Sequence, residues 1–350
     1  MEKEFKINNF DLIRIFASTQ VLVKHSVHHL ELKAPFGFAL LQKFPGVPIF
    51  FAISGFLISA SYERNTRLKN YIRNRALRIY PGLWGCILLT IVTASIFGGI
   101  NFVNAGTPKW VLSQMAGLIY TPDFLSQYGF GSYNGSLWTI PIELQFYVML
   151  PILYLLIRKA DKKWFSWVSI WVAFMIIAYI IRFIFPNMGD TGETSVAKLL
   201  RYTFIPHFYM FLTGVMLQRF KIYQSNLIYG KGLYWLFIYL AFTYLVPNSQ
   251  PQFFISMLLL AVCILSIAYT APSLGKYVLK GNDISYGVYM YHGLVLNIMV
   301  DINHLHHFRY LLFVLAASYL LGFFSWTLIE KRFLKKKHPA QLSNVVQSAT

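Results

Sequence analysis

Long apolar stretches separated by short polar segments run through almost the whole chain. Each stretch is close to the ~20 apolar residues that a helix needs to cross a bilayer. Strands are excluded by segment length, since only helices of this length satisfy their own backbone in lipid. The sequence therefore predicts an all-α polytopic membrane protein, a bundle of about ten transmembrane helices. The ten stretches lie near residues 10–30, 46–62, 82–99, 137–157, 164–184, 200–217, 232–246, 252–270, 284–300 and 309–330.

Composition agrees with this pattern. Of the 350 residues, 56% are hydrophobic, 18% aromatic and only 13% charged. A soluble domain would carry about a quarter charged residues. A soluble enzyme is therefore excluded, and the chemistry of this chain is expected within or beside a membrane.

The basic residues predict the orientation of the chain. Basic loops stay on the cytoplasmic side of a membrane. With the N-terminus inside, 22 of the 31 Lys and Arg fall in cytoplasmic segments, so both termini are expected in the cytoplasm. Membrane insertion and anionic lipid headgroups explain the net charge of +18 better than nucleic acid does. We expect membrane lipids as partners and no nucleic acid.

The first apolar stretch contains two ionisable residues, Arg14 and His25. Eleven helical positions separate them, so both side chains share one face, roughly 16 Å apart along the axis. Ionisable groups in a membrane are costly and indicate function, here a polar track through the membrane. A packed histidine bonded to a carbonyl is the alternative for His25. His28 and His29 follow, but no carboxylate stands at a ligand spacing, and we expect no metal.

Glu143 lies about two turns inside the fourth apolar stretch, counted from the outer side. A carboxylate there could accept a proton, orient a histidine or bind a sugar hydroxyl, while a structural ion pair is the alternative. Trp138 precedes it by five residues. An aromatic ring at that point is typical of a membrane interface, and it could also stack on a pyranose.

The densest basic segment comes directly before Pro81 and contains Arg75 and Arg78 on one helical face. Guanidinium groups bind phosphate oxygens bidentately, so the pair suggests a phosphate-bearing ligand, with lipid headgroups as the alternative. In the ninth stretch, Ser285, Tyr289 and His292 share one face. Such a face lines a pocket more readily than it meets lipid.

Cys86 and Cys263 both fall inside apolar stretches. A thiol there behaves as a small apolar side chain, so we expect neither a disulfide nor thiolate catalysis. No cleavable signal peptide is expected, because the first apolar segment has charged residues within it.

Taken together, the motifs resemble the acyltransferase-3 family of membrane O-acyltransferases, which includes O-antigen and exopolysaccharide acetylases. They run in order across residues 10–333. Leu12 stands where a glycine is frequent in the family, and Lys331 follows Glu330 where a proline is common. The matching elements are Asp11-Leu-Ile-Arg14 with ten residues to His25, Gly46 to Ile58 including Ser54-Gly55, Arg75-Ala-Leu-Arg78-Ile-Tyr-Pro81, Ser136-Leu-Trp138 to Glu143 and Tyr147, Ser285-Tyr286-Gly287 to His292, and Ile329-Glu330.

The resemblance implies an acyl-coenzyme A donor, expected to be acetyl-CoA, and a carbohydrate acceptor, free or lipid-linked. It implies that Arg14, Arg75 and Arg78 bind the donor's phosphates. His25 would be the general base, with Glu143 orienting it or relaying the proton; a covalent acyl-histidine is the alternative. The expected substrate-binding residues are Ser54, Trp138, Tyr289 and His292.

The same resemblance implies one acyltransferase domain over residues 1–333. The residues that follow, 334–350, are basic and then polar, and we expect them to form a cytoplasmic tail. Some family members carry a fused extracellular hydrolase-like domain. This chain ends after its membrane core, so direct transfer of the acyl group to the acceptor is expected. The expected location is the inner membrane of a bacterium.

Two other functions remain open from the sequence. Buried Arg, His and Glu on ten spans would also suit a proton-coupled transporter or a flippase of a lipid-linked sugar. A noncatalytic scaffold is the weaker alternative, because it leaves the polar track unexplained.

Overall fold

The computed structural model describes residues 8–158, 163–190 and 192–335. Within these ranges the regular structure is helical and no strand occurs, which confirms the all-helical prediction. The helices are α1 (Phe10–His29), α2 (Phe38–Gln42), α3 (Gly46–Arg64), α4 (Leu68–Ile96), α5 (Gly106–Met115), α6 (Thr139–Ile157), α7 (Lys163–Ile184), α8 (Ser195–Arg201), α9 (Phe208–Arg219), α10 (Gly232–Leu245), α11 (Gln250–Ala268), α12 (Leu274–Leu279), α13 (Ser285–Asp301), α14 (Phe308–Phe324) and α15 (Lys331–Lys335).

Six helical segments in the described part of the chain are long and apolar enough to cross a membrane. Gly232–Leu245 is a shorter apolar helix. The count of ten spans and the cytoplasmic position of both termini stay predictions. The predicted tail over 334–350 lies outside the described residues except for its first two positions. The six segments are Phe38–Arg64, Leu68–Ile96, Gly135–Ile157, Lys163–Ile184, Gln250–Ala268 and Phe308–Leu334.

Two helices differ from the apolar stretches that predicted them. Helix α4 begins at Leu68 and includes Pro81, although the apolar stretch begins near residue 82. Its first turns are basic, and Lys and Arg form helices well while lowering hydropathy. In the stretch 200–217, α9 begins only at Phe208. Pro206 disfavours helical geometry in the residue before it, which separates α8 from α9.

The chain divides into two compact units, and the boundary between them falls within α1. Unit 1 contains Met1–Lys24, Ala34–Thr66 and Trp138–Asp283. Unit 2 contains His25–Lys33, Arg67–Leu137 and Ile284–Thr350.

Unit 1 is organised around the crossing of α3 and α9. A Cβ on Gly55 would overlap the carbonyl oxygen of Phe211, and a Cβ on Gly214 would overlap that of Ala52. Each of these glycines faces the backbone of the other helix, so the two helices can approach closely. Close approach increases the number of dispersion contacts along the interface. Beside this crossing the rings of Phe146 and Phe211 stack at a centroid distance of 4.6 Å.

Unit 2 contains a similar close approach between α13 and α14, where a Cβ on Gly287 would lie 2.6 Å from the Cα of Gly322. After α14 the helix widens into a π-turn over Ser325–Glu330. The Ser325 hydroxyl donates to Glu330 Oε1 at 2.8 Å across this turn. Glu330 is only 1% exposed, so this hydrogen bond satisfies part of a buried carboxyl group.

Candidate functional site

Helix α1 carries both Arg14 and His25, as the sequence predicts. Its start is fixed by two asparagines. The Asn8 side chain accepts a hydrogen bond from the Phe10 N–H at 3.2 Å. The Asn9 amide donates to the carbonyl oxygens of Thr270 and Ala271, both at 3.0 Å. These bonds satisfy groups that a helix leaves without intrahelical partners and anchor α1 within unit 1.

Arg14 binds two carboxylates in unit 1. Its guanidinium bonds to Asp11, one turn earlier on α1, and Nη1 lies 3.0 Å from Oδ2 of Asp283. The Arg14 and Asp283 side chains are 18% and 9% exposed, whereas Asp11 is 46% exposed. One cation and two anions leave a net charge of −1 when all three are ionised. Sequence reasoning missed Asp283. It could have been recognised as a carboxylate that directly precedes the ninth apolar stretch.

His25 pairs with His292 in unit 2. Nδ1 of His25 lies 3.0 Å from Nε2 of His292, and Nδ1 of His292 lies 3.3 Å from the carbonyl oxygen of Val288, one turn earlier on α13. His292 is completely buried, and its ring centroid lies 5.9 Å from that of Tyr289. The structure therefore joins the predicted base to a residue predicted to bind substrate.

The neighbouring histidines of α1 pack against aromatic rings, and the His29 ring lies edge-on to His25 with centroids 6.0 Å apart. The His29 ring stacks on Phe130 with centroids 3.9 Å apart and planes at 15°. His28 packs edge-on against His29. Among the described residues, no group of three or more His, Cys, Asp or Glu side chains is arranged to bind a metal ion.

Two buried asparagines, missed by the sequence reasoning, fasten the loop before α6 to α13. The Asn134 amide donates to the Met290 carbonyl at 2.8 Å and its oxygen accepts from Ser136 at 2.5 Å. Asn297 accepts from the Phe130 N–H at 3.2 Å and donates to the Tyr133 carbonyl at 2.8 Å. Of the two, Asn297 could have been recognised from the sequence, because it is a polar residue inside the ninth apolar stretch.

Asn134 can approach α13 because Gly293 has no side chain at the crossing. A Cβ on Gly293 would collide with the Asn134 amide. The loop before α6 therefore packs against the same turn of α13 that carries His292.

Glu143 is partly buried on α6 in unit 1. Its Oε1 accepts a hydrogen bond from the Tyr147 hydroxyl one turn later on the same helix. A carboxylate bonded in this way is held in one rotamer, which suits a group that accepts a proton or binds a hydroxyl. Ser54, on α3 of the same unit, is also partly buried.

Trp138 precedes α6 and lies beneath a guanidinium group. The Arg201 Cζ atom lies 5.6 Å from the Trp138 ring centroid. Arg201 is held by two bonds to Glu193, Nη2 to Oε1 at 2.5 Å and Nε to Oε2 at 3.1 Å. Burial alone would raise the pKa of the Glu193 carboxyl, but hydrogen bonds from Arg201 and the Gly189 N–H hold it below its usual range.

The two predicted phosphate ligands lie on α4 in unit 2. Arg75 and Arg78 are partly buried, whereas Arg73 on the same helix is exposed. The Arg78 guanidinium lies 6.0 Å from the ring centroid of Tyr286, whose hydroxyl donates to the Ile79 carbonyl at 3.1 Å. Within unit 2, the structure thus connects α4 to the first turn of α13.

One cysteine contacts the Asn134–Met290 bond: the Cys86 thiol donates to the Met290 carbonyl oxygen at 3.7 Å and accepts from the Asn134 amide at 3.5 Å. Cys86 and Cys263 are free thiols, both buried, on α4 and α11.

Apolar helices of spanning length, with ionisable side chains on α1 and α13, define an integral membrane protein with a buried polar site. The family model for the acyltransferase domain of the acyltransferase-3 family matches residues 7–329. The chain therefore belongs to the acyltransferase-3 family, as the sequence motifs predict.

Three curated relatives illustrate the match. Nodulation protein 10 of Rhizobium leguminosarum bv. viciae is 30% identical over 94% of this chain and 93% of its own length. An O-acetyl transferase of Shigella phage Sf6 is 27% identical over 95% of this chain and 98% of its own. The peptidoglycan O-acetyltransferase OatA of Listeria monocytogenes is 27% identical over 34% of this chain and 21% of its own.

No solved structure matches the chain. Family membership, together with relatives that are O-acetyltransferases, makes this protein a membrane acyltransferase of the O-acyltransferase class.

Proposed function

We propose that the protein transfers an acetyl group from cytoplasmic acetyl-CoA to a hydroxyl of a cell-surface carbohydrate, such as an O-antigen or exopolysaccharide, at a bacterial inner membrane. The observation that carries the proposal is the hydrogen-bonded imidazole of His25 inside α1 of a family domain. A neutral imidazole is the side chain best suited to take a proton from a hydroxyl near neutral pH. The phage and Listeria relatives support acetyl as the group transferred, and the second is named for a carbohydrate polymer.

His25 acts as general base in this reaction. It removes the proton of the acceptor hydroxyl while the oxygen attacks the thioester carbonyl carbon. The new C–O bond forms, the C–S bond breaks, and the coenzyme A thiolate leaves and takes up the proton from His25. A covalent acyl-histidine intermediate gives the same products in two steps.

Glu143 has the supporting role that the sequence predicts for it, orienting the base or relaying its proton. Its hydrogen bond from Tyr147 supports this role because it keeps the carboxylate in one position. The role itself stays a prediction.

Arg75 and Arg78 hold the donor's phosphates in this proposal. Partial burial supports the assignment, because a guanidinium shielded from water binds phosphate oxygens more strongly than an exposed one. Arg14 is in a different situation, since it already pairs with two carboxylates, Asp11 and Asp283. To bind a phosphate of the donor, Arg14 would have to release the exposed carboxylate of Asp11.

For the acceptor, Trp138, Ser54 and Tyr289 stay the proposed contacts. The amphipathic ring of Trp138 is held against Arg201, so its position is fixed before any sugar arrives. A rigid aromatic surface binds a pyranose at a lower entropic cost than a mobile one.

Purified protein in sealed proteoliposomes, supplied with labelled acetyl-CoA and a carbohydrate acceptor, tests the reaction directly. We expect stoichiometric thioester loss and ester formation with the wild type, and neither with His25→Ala at equal protein recovery. Transport of the carbohydrate without thioester consumption would favour a transporter instead.

A further inference from the structure

We propose that His292 is the positioning residue of His25, rather than a substrate ligand: it fixes the imidazole tautomer so that Nε2 of His25 is the basic atom. The proposal rests on the function proposed above. It follows from three atoms in a row, all within unit 2: Nδ1 of His25, Nε2 of His292 and the carbonyl oxygen of Val288.

The direction of each bond follows from what the groups can donate. The Val288 carbonyl only accepts, so Nδ1 of His292 carries a proton to bond to it at 3.3 Å. A neutral imidazole has one N–H, so Nε2 of His292 then accepts. The partner at 3.0 Å, Nδ1 of His25, is therefore the donor. The lone pair of His25 consequently lies on Nε2.

Burial explains why His292 stays in the neutral form that this chain of bonds requires. The side chain is 0% exposed on a helix in which nearly every position from Ser285 to Met299 is buried. Ionising an imidazole there without a carboxylate partner is opposed by loss of hydration, as it is for other buried ions. Among the described residues, the hydrogen-bond partners of the His292 ring are His25 and the Val288 carbonyl, and neither is acidic.

The same bond supports His25 during the reaction. When Nε2 takes the acceptor's proton, His25 becomes an imidazolium, and its Nδ1–H donates a charge-assisted hydrogen bond to His292. His292 thus has the part that a carboxylate plays in many catalytic triads, but without adding a second buried charge.

The site around His292 is built to hold it. Asn134 bonds to the Met290 carbonyl and, across Gly293, packs against the turn of α13 that carries His292. The His292 ring also packs edge-on against Tyr289, which is 5% exposed. A side chain this enclosed has little surface left for an acceptor sugar, whereas its Nε2 is directed at His25.

Two amide substitutions separate positioning from substrate binding. In His292→Gln the amide oxygen can reach the place of Nε2 and accept from His25. In His292→Asn the amide reaches only the place of Nδ1, so the bond to Val288 is kept and the bond to His25 is lost. Activity retained in His292→Gln therefore also shows that an amide at this position is compatible with folding, which is the control for His292→Asn.

We expect kcat to fall about 100-fold in His292→Asn, as for loss of other orienting partners, with KM for donor and acceptor changed less than about 3-fold. His292→Gln should recover kcat to within about 10-fold of the wild type. A raised acceptor KM with unchanged kcat, or equal kcat for the two variants, would overturn the proposal.

Nitrogen-15 NMR of protein labelled at histidine tests the same point without activity. The His25 signals, assigned by their loss in His25→Ala, should report a protonated Nδ1 and an unprotonated Nε2 in the wild type, and this preference should disappear in His292→Asn. A protonated Nε2 in the wild type would contradict the inference. Absence of acyl transfer in the wild type would instead count against the proposed function and leave the NMR result to decide on His292.

Discussion

At the scale of single residues, Arg14 shows how a charge inside this protein is stabilised. Its side chain is 18% exposed, so it depends on protein partners more than on water. Asp283, at 9% exposed, is desolvated with it, whereas Asp11 is 46% exposed and largely hydrated. The two bonds therefore differ in energy, because screening by water weakens only the exposed pair.

Replacing Asp283 by Asn should lower the free energy of unfolding by about 2–3 kcal/mol. Breaking a fully buried ion pair costs about 3–5 kcal/mol, and the loss is smaller here because Asp11 still bonds to Arg14. Asp11→Asn should cost less than about 1 kcal/mol. Thermal unfolding of the two variants in the same detergent checks the order. Equal losses would show that both carboxylates are equally hydrated.

The donor site leads to a second comparison at this scale. Arg78→Lys keeps a positive charge but loses the bidentate fork, so the KM for acetyl-CoA should rise about 10-fold, the equivalent of about 1.4 kcal/mol. Arg73→Lys is the matched control, because Arg73 is exposed on the same helix. Steady-state kinetics at saturating acceptor measure both. An equal KM in the two variants would remove Arg78 from the donor site.

The sequence identified His25 and Arg14 because ionisable residues on one face of an apolar stretch are visible locally. Their partners were not visible as partners. His292 follows His25 by 267 residues, and Asp283 follows Arg14 at a similar distance along the chain. Pairs so far apart are formed by helix packing, which periodicity in one segment does not encode. His292 was therefore predicted as a substrate ligand.

At the scale of helices, the interface of α3 with α9 depends on two glycines that face opposite backbones. Gly55→Ala should force the helices apart, because the new Cβ would overlap the Phe211 carbonyl oxygen. We expect a loss of at least about 1–3 kcal/mol, seen as lower recovery of monodisperse protein and a lower melting temperature.

Gly135→Ala is the control for this experiment, since a Cβ there would meet nothing closer than a Phe130 ring atom at 3.4 Å. Its melting temperature should stay close to that of the wild type. If Gly55→Ala behaved like this control, the close approach of α3 and α9 would not be a stabilising feature.

Hydrophobic pattern predicted where helices occur better than where they begin. Helix α4 is the clearest case, since its first turns are basic and escape a search for apolar residues, yet the helix is continuous from Leu68 to Ile96. The opposite error arose near Pro206, where one continuous apolar stretch contains a turn that hydropathy alone does not reveal. In both cases backbone geometry and hydropathy give different boundaries.

At the scale of the whole molecule, the distribution of Lys and Arg predicts which loops face the cytoplasm. Thr66 and Ala105 are exposed, in loops expected on opposite sides of the membrane. In intact cells, a membrane-impermeant maleimide should label Ala105→Cys, and should label Thr66→Cys only after permeabilisation. Cys86 and Cys263 are buried and give little background. The reverse pattern would contradict the predicted orientation.

Acyl transfer by this protein should depend on the imidazole of His25. Membranes containing the wild type or the His25→Ala protein, at equal levels, are incubated with labelled acetyl-CoA, and lipid and polysaccharide fractions are counted separately. We expect label in a glycan fraction of the wild-type membranes and none in that fraction of the His25→Ala membranes. Equal glycan label in both membranes would contradict this expectation.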